Sequence, residues 1–204
     1  MSDTQQTGVH IAFYRFVAIE EVERFCDRIN EIAADLLGTV LVAPEGVNGM
    51  LAGPASKVEE FLTRASSDPL TKAAFDAITT KTTTYQRPPF SRLKIKAKTE
   101  IVPLGISGLD MPARVADVAR TDVPPREWRE LIKRDDVVLI DNRNSFEYDV
   151  GHFEGAIDPG ITNFRDFADY VQANAQHWRD AGTKVAMYCT GGIRCEKSSP
   201  WMQD

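Results

Sequence analysis

The chain has 204 residues, a formal net charge of -6 and 43% hydrophobic residues. It is long enough for one large domain or two small ones. It carries no global basic field, and no apolar run approaches the roughly 20 residues that cross a bilayer. Cys26, Cys189 and Cys195 are too few, and odd in number, for a disulfide framework. The opening "MSDTQQTGVH" lacks the basic and apolar regions of a secretory signal, so a reduced, cytoplasmic protein is expected.

Residues 9–17 alternate and are rich in β-formers, which predicts a strand. Residues 20–37 place Val22, Phe25, Ile29, Ile32, Ala33, Leu36 and Leu37 on a helical stripe, with Gly38 as the expected C-cap. A hairpin is expected from 39–43 and 48–54, turning through "PEGVN". Ser56, with Glu59 as capping-box partner, predicts a helix reaching about Ser66. A strand is then expected over 76–86, and 91–102 reads as a further extended piece. The order β-α-β-β-α-β is that of the ferredoxin-like, split βαβ fold.

Residues 1–99 carry 12 acids and 12 bases, whereas 100–204 carry 18 acids and 12 bases, so the excess of six acids lies wholly in the second half. Pro103, Gly105, Gly108 and Pro112 fall near the change and read as a linker. The expected division is a domain over 1–102, a linker over 103–122 and a second domain over 123–204. The second domain reads as α/β. A helix is expected over 124–133, a buried parallel strand over 136–141, a helix over 163–178 and a second buried strand over 184–189. That second strand delivers Cys189 at its carboxyl end, the edge at which open α/β sheets bind ligands.

The loop that follows is "CTGGIRCEK". Thr190, Gly191, Gly192, Ile193 and Arg194 can curl round the sulfur of Cys189. The two glycines permit unusual backbone conformations, and backbone N–H groups at a helix N-terminus make an anion cradle. With the Arg194 charge, these surroundings favour thiolate over thiol. The spacing is Cys-x4-Arg, one residue shorter than the Cys-x5-Arg loop of cysteine phosphatases, and it suits a sulfur atom or a persulfide better than a phosphate. Tyr188 stands where those phosphatases usually keep a histidine. Cys195 reads either as a resolving thiol or as a packed residue on the first turn of the next helix. The Cys189–Cys195 spacing, with no adjacent histidine, does not suit zinc, and no metal site is expected.

"CTGGIRCEK" resembles the active-site loop of rhodanese-like domains. "LIDNRNSFEYDVGHFEGAI" (139–157) resembles the rhodanese pattern of Asp-x-Arg, Glu-Tyr and Gly-His-x-x-Gly-Ala. Together with "PEGVNGMLAG" and "LKIKAKTEIV" in an acylphosphatase-like N-terminal domain, the chain resembles the rhodanese-like tRNA uridine hydroxylases over roughly residues 8–204. The resemblance implies Cys189 as catalytic cysteine, tRNA at its anticodon region as partner, and 5-hydroxyuridine formation at the wobble position with molecular oxygen as co-substrate. No cofactor is evident in the residues. Asn142 stands where general rhodaneses commonly carry an aliphatic residue. Rhodanese domains continue past the loop with a helix, a strand and a further helix, so a domain truncated at its C-terminus is expected, with Pro200 straining the one helix that remains.

Asp141 and Arg143 straddle a strand end and are expected to hold loops near the site. His152 reads as a satisfied structural histidine, and Cys26 as core. Residues 77–99 hold no acid and six bases, Lys81, Arg87, Arg92, Lys94, Lys96 and Lys98. In a strand, the last four would share one face. They read either as guards of a sheet edge or as contacts for RNA phosphates, with Tyr85 and Phe90 near for base stacking. Three functional readings follow: the hydroxylase, with the thiolate adding to carbon 6 of the uridine ring; a sulfurtransferase carrying a persulfide on Cys189; and a non-catalytic sulfur-relay or RNA-binding adaptor.

Overall fold

The computed structural model describes residues 8–106, 108–117 and 122–203. The chain divides into two compact units, Met1–Ile101 and Val102–Asp204. The opening segment 1–7, read above as lacking a signal, lies outside the described residues.

The first unit runs β1 (Gly8–Phe16), α1 (Val22–Ile32), β2 (Leu37–Ala43), β3 (Gly46–Gly53), α2 (Ala55–Ser67), the short α3 (Lys72–Phe75), β4 (Thr80–Tyr85) and β5 (Leu93–Ala97). Its sheet has the order β4-β1-β3-β2-β5. The first four strands pair antiparallel and β5 joins β2 in parallel. This is the expected ferredoxin-like arrangement with one strand added at an edge. Strand alternation decides the faces. Ile11, Phe13, Val40, Val42, Val47 and Leu51 point into a core completed by Phe25 and Ile29 of α1 and Val58 and Phe61 of α2.

Several boundaries differ from expectation. The helix of 20–37 stops at Ile32, because Leu36 and the residues after it are needed to reach and form β2. Gly38 is therefore no C-cap. It lies inside β2 at φ 141°, where a Cβ would sit 2.0 Å from the Met50 carbonyl oxygen. Ser56 does not cap α2, which starts at Ala55 behind Pro54 with no side-chain cap. The strand expected over 76–86 begins only at Thr80, since α3 and the turn after it consume the preceding residues. The extended piece of 91–102 is a strand only over Leu93–Ala97, the stretch that pairs with β2.

The second unit runs α4 (Met111–Asp117), α5 (Pro125–Leu131), β6 (Val137–Asp141), α6 (Ser145–Val150), α7 (Asp166–Ala181), β7 (Lys184–Tyr188) and α8 (Ile193–Met202). β6 and β7 pair in parallel, with Asp141 opposite Tyr188. Ile157 adds an isolated parallel bridge to Ile140. The stretch read as a linker carries α4, whose Met111 is wholly buried, so much of it is packed structure; residues 107 and 118–121 of that stretch lie outside the described residues. α8 runs through Pro200 and ends two residues later, so the missing amide costs a bond only in the last turn.

α3 supplies the centre of the first unit's aromatic cluster. Phe75 is 2% exposed, and its ring lies edge-on to Phe13 and Phe61, each at 5.4 Å, and stacks on Phe25 at 6.5 Å. Phe75→Ala is expected to destabilise the chain by about 3–5 kcal/mol in urea unfolding. A loss under about 1 kcal/mol would show that the cluster is not a packed core.

Candidate active site

β7 ends at Tyr188, and Cys189 is the next residue. The chain turns through Thr190 and Gly191 to Gly192, which caps α8 at φ 93°. That left-handed value is why a glycine is needed at 192. Gly191 differs from expectation: its φ lies outside that region and a Cβ there would meet nothing within 4 Å. The turn aims the first amides of α8 back at the sulfur. The Gly192 N–H donates to Cys189 Sγ at 3.1 Å. The Cys195 thiol donates to the same sulfur, and the backbone N–H groups of Cys195 and Arg194 complete the collar.

The electrostatics follow from these donors. The Cys195 thiol is the largest influence on Cys189; burial opposes it, and the amides of Cys195, Gly192 and Arg194 reinforce it. The result is a pKa pulled down to about 5, so Cys189 is a thiolate at neutral pH. Cys195 moves the other way, first because its proton is held by Cys189 and then because it is buried.

Two further layers hold the loop. Glu147 on α6 accepts from Thr190 Oγ1 at 2.7 Å and from Arg194 Nη1 at 2.8 Å, so one carboxylate ties both flanks of the loop. Burial works against its ionisation, but those two donors prevail and lower its pKa. Beneath lies Asp141, wholly buried. It takes a two-pronged bond from Arg143, Nε to Oδ1 at 2.8 Å and Nη2 to Oδ2 at 2.6 Å, and a third from the Tyr188 hydroxyl at 2.7 Å. Arg143 also donates to the Gly151 carbonyl at 2.7 Å and lies over the Tyr188 ring. Burial raises the Tyr188 hydroxyl to about 12, with Asp141 reinforcing it. Asn142, also wholly buried, bonds Ser198 Oγ at 2.9 Å and reaches Cys195. Lys197 anchors α8 through a bond to the Val102 carbonyl at 2.9 Å.

Cys189, Thr190, Gly191, Gly192, Ile193, Arg194 and Cys195 are thus brought to one loop and helix start, over Asp141 and Arg143. The Arg194 guanidinium is engaged by Glu147, a contact that holds the loop, and the collar on the sulfur is built from amides and a thiol. Glu147 and Asn142 were met in the sequence only as parts of the rhodanese pattern, and no role was read for either, although Asn144-x-x-Glu147 after a strand is the spacing of a helix start. His152 stacks on Tyr148 at 3.7 Å and bonds its carbonyl at 3.0 Å, away from the loop. Among the described residues no group of His, Cys, Asp and Glu is arranged to hold a metal.

The bases of 77–99 separate into two groups. Lys94 and Lys96 are exposed on β5, with Arg92 and Lys98 exposed just beyond its ends. Lys81 lies on β4 at the opposite edge, roughly 19 Å away across four strand spacings. Register nevertheless joins them. Lys81, Ala12, Met50, Thr39 and Lys94 form one row across the sheet face opposite the core, and Tyr14, Asn48, Leu41 and Lys96 a second. Arg87 is exposed in the connection between β4 and β5.

Removing the donated thiol should weaken the collar. In Cys195→Ala, the pH midpoint for alkylation of Cys189 by iodoacetamide is expected to rise from about 5, because the lost donor stabilised only the thiolate. Cys195→Ser, which keeps a donor, should hold the midpoint lower than the alanine variant. An unchanged midpoint in Cys195→Ala would show that the thiol is no part of the collar.

Residues 8–101 match the UPF0176 acylphosphatase like domain, and residues 124–203 match the rhodanese-like domain. Curated relatives named tRNA uridine(34) hydroxylase align across both. The protein from Synechococcus elongatus is 42% identical over 95% of this chain and 69% of its own length. That from Jannaschia sp. is 40% identical over 95% of this chain and 61% of its own length, and that from Acinetobacter baylyi is 40% identical over 92% and 57%. The chain therefore spans between about half and about two thirds of the length of these relatives. With both domains matched in order and identity sustained across them, the chain belongs to the tRNA uridine(34) hydroxylase family.

Proposed function

We propose that this chain carries the thiol centre and a tRNA-binding face of an enzyme that hydroxylates the wobble uridine of tRNA at carbon 5, using molecular oxygen. The observation that carries the reading is the amide- and thiol-collared Cys189 in a chain about 40% identical to relatives bearing that name. A uridine ring is electron-poor at carbon 6. Addition of the Cys189 thiolate there forms an S–C6 bond and pushes electron density onto carbon 5, the atom that must meet oxygen. A thiolate already formed at neutral pH needs no separate base for this step. Glu147 and Arg194 act by holding the loop in shape, and Asp141, Arg143 and Tyr188 by holding the strand ends beneath it.

The two rows on the open sheet face give RNA a surface of lysines at both edges with Tyr14 and Met50 between. Cations there meet phosphates, and the half-exposed apolar strip between them suits splayed bases. The same collar would also stabilise a persulfide anion, which keeps sulfur transfer as the second reading.

Deleting the gene and digesting total tRNA separates the two by mass spectrometry. Loss of 5-hydroxyuridine derivatives, restored by the wild-type gene and not by Cys189→Ser, is the expected result. Loss confined to thiolated uridines would favour sulfur transfer, and full restoration by Cys189→Ser would overturn the catalytic role of the thiol. The double variant Lys94→Glu/Lys96→Glu is expected to bind tRNA more weakly and to flatten the salt dependence by about one unit of slope per lost phosphate contact. Unchanged affinity would remove β5 from the RNA surface.

A further inference from the structure

The uridine chemistry proposed above uses one thiol, yet the site holds two. Cys195 is placed on the first turn of α8 with its thiol on the sulfur of Cys189. Both are free, and both are partly accessible. A packed core cysteine looks different: Cys26 is buried on α1 between apolar neighbours, and burial, with Glu23 and Asp27 beside it, raises its pKa to about 11. Asn142 adds a second observation. Its buried side chain bonds Ser198 and reaches Cys195, where it opposes the rise that Cys189 and burial impose on that thiol, at a position where general rhodaneses commonly carry an aliphatic side chain.

We propose that Cys189 and Cys195 form a dithiol–disulfide couple that reduces small hydroperoxides, with Cys189 as the attacking thiol and Cys195 as the resolving one. In the first step the Cys189 thiolate attacks the outer oxygen of the hydroperoxide. An S–O bond forms, the O–O bond breaks, and the leaving alkoxide takes a proton from water to become an alcohol. Cys189 is now a sulfenic acid. In the second step the Cys195 sulfur attacks it. An S–S bond forms, the S–O bond breaks, and the departing hydroxide leaves as water with the proton that Cys195 gives up. Two thiols lose two electrons in all, and the hydroperoxide gains them. An external dithiol returns the couple to its reduced form by exchange.

The geometry suits each step. The collar of N–H donors that holds a thiolate also suits a sulfenate oxygen, and Cys189 is only partly buried. The two sulfurs start in hydrogen-bond contact, and a disulfide closes that gap to about 2 Å. Cys189 itself, ahead of burial, is what keeps the Cys195 proton in place, and the Asn142 amide opposes both; conversion of Cys189 to a sulfenic acid removes the acceptor thiolate.

The test needs no RNA, so its outcome is independent of the hydroxylase reading. The reduced chain is treated at neutral pH with one equivalent of hydrogen peroxide, and free thiols and tryptic masses are read. Trypsin cuts after Arg194, so the expected disulfide joins peptide 185–194 to peptide 195–197. Two thiols are lost per chain, Cys26 stays free, and Cys189 is oxidised at least about tenfold faster than Cys26. In Cys195→Ser, the same treatment should instead leave a dimedone-reactive sulfenic acid at Cys189 and no joined peptides. If Cys195→Ser fails to fold, the wild-type map alone decides. Dimedone adduct at Cys189 in the wild type with no joined peptides, a disulfide to Cys26, or oxidation of Cys189 no faster than that of Cys26 would each overturn the couple.

Discussion

Everything distinctive about this chain depends on hydrogen-bond donors converging on one sulfur atom. Burial drives a thiol toward its neutral form, as it does at Cys26, which is raised to about 11 with Glu23 and Asp27 adding to the effect. Cys189 is also partly buried, yet it is lowered to about 5. The residue type is the same and the direction is opposite, so the difference lies in the neighbours of each sulfur, carboxylates at Cys26 and hydrogen-bond donors at Cys189. Three of them are backbone amides, whose positions are set by the start of α8, and the left-handed turn at Gly192 is what aims them.

The frame beneath the loop is expensive by comparison. Asp141 is a wholly buried carboxylate, and an ion pair with Arg143 in such a place recovers little more than its own desolvation. Its value is geometric. Parallel pairing of β6 and β7 sets Asp141 beside Tyr188, and the Arg143 fork ties that strand end to Gly151. Glu147 then fastens α6 to both flanks of the loop. The collar is thereby held from the strand side and from the helix side.

Much of this was legible in the residues. The apolar spacing of "DVVLID" and "KVAMYC" marked two buried strands, and the second delivered its cysteine where the structure has it. The helical stripe at Phe25, Ile29 and Ile32 marked the buried face of α1. What escaped has physical reasons. α3 is four residues long, too short for a periodic signal, and Phe75 looked like part of a connection. Gly38 carries the mark of a helix end, but a strand that passes close to the Met50 carbonyl needs a glycine equally. Arg194 was correctly placed at the loop, and its partner Glu147 lies 47 residues away, a pairing that spacing alone does not disclose. The row from Lys81 to Lys94 required the strand order, because β4 and β5, neighbours in sequence, lie at opposite edges of the sheet.

The proposed readings share a first step by an ionised thiol, whether the electrophile is a pyrimidine ring, a sulfane sulfur or a hydroperoxide. Ultraviolet thiolate absorbance of the reduced chain, followed from acid to alkaline pH, addresses that ionisation directly. One thiolate of the three cysteines is expected to appear with a midpoint near 5 and the other two well above neutrality. A profile with all three appearing near the unperturbed value of about 8.5 would mean that the collar does not act on the sulfur, and the account would fail.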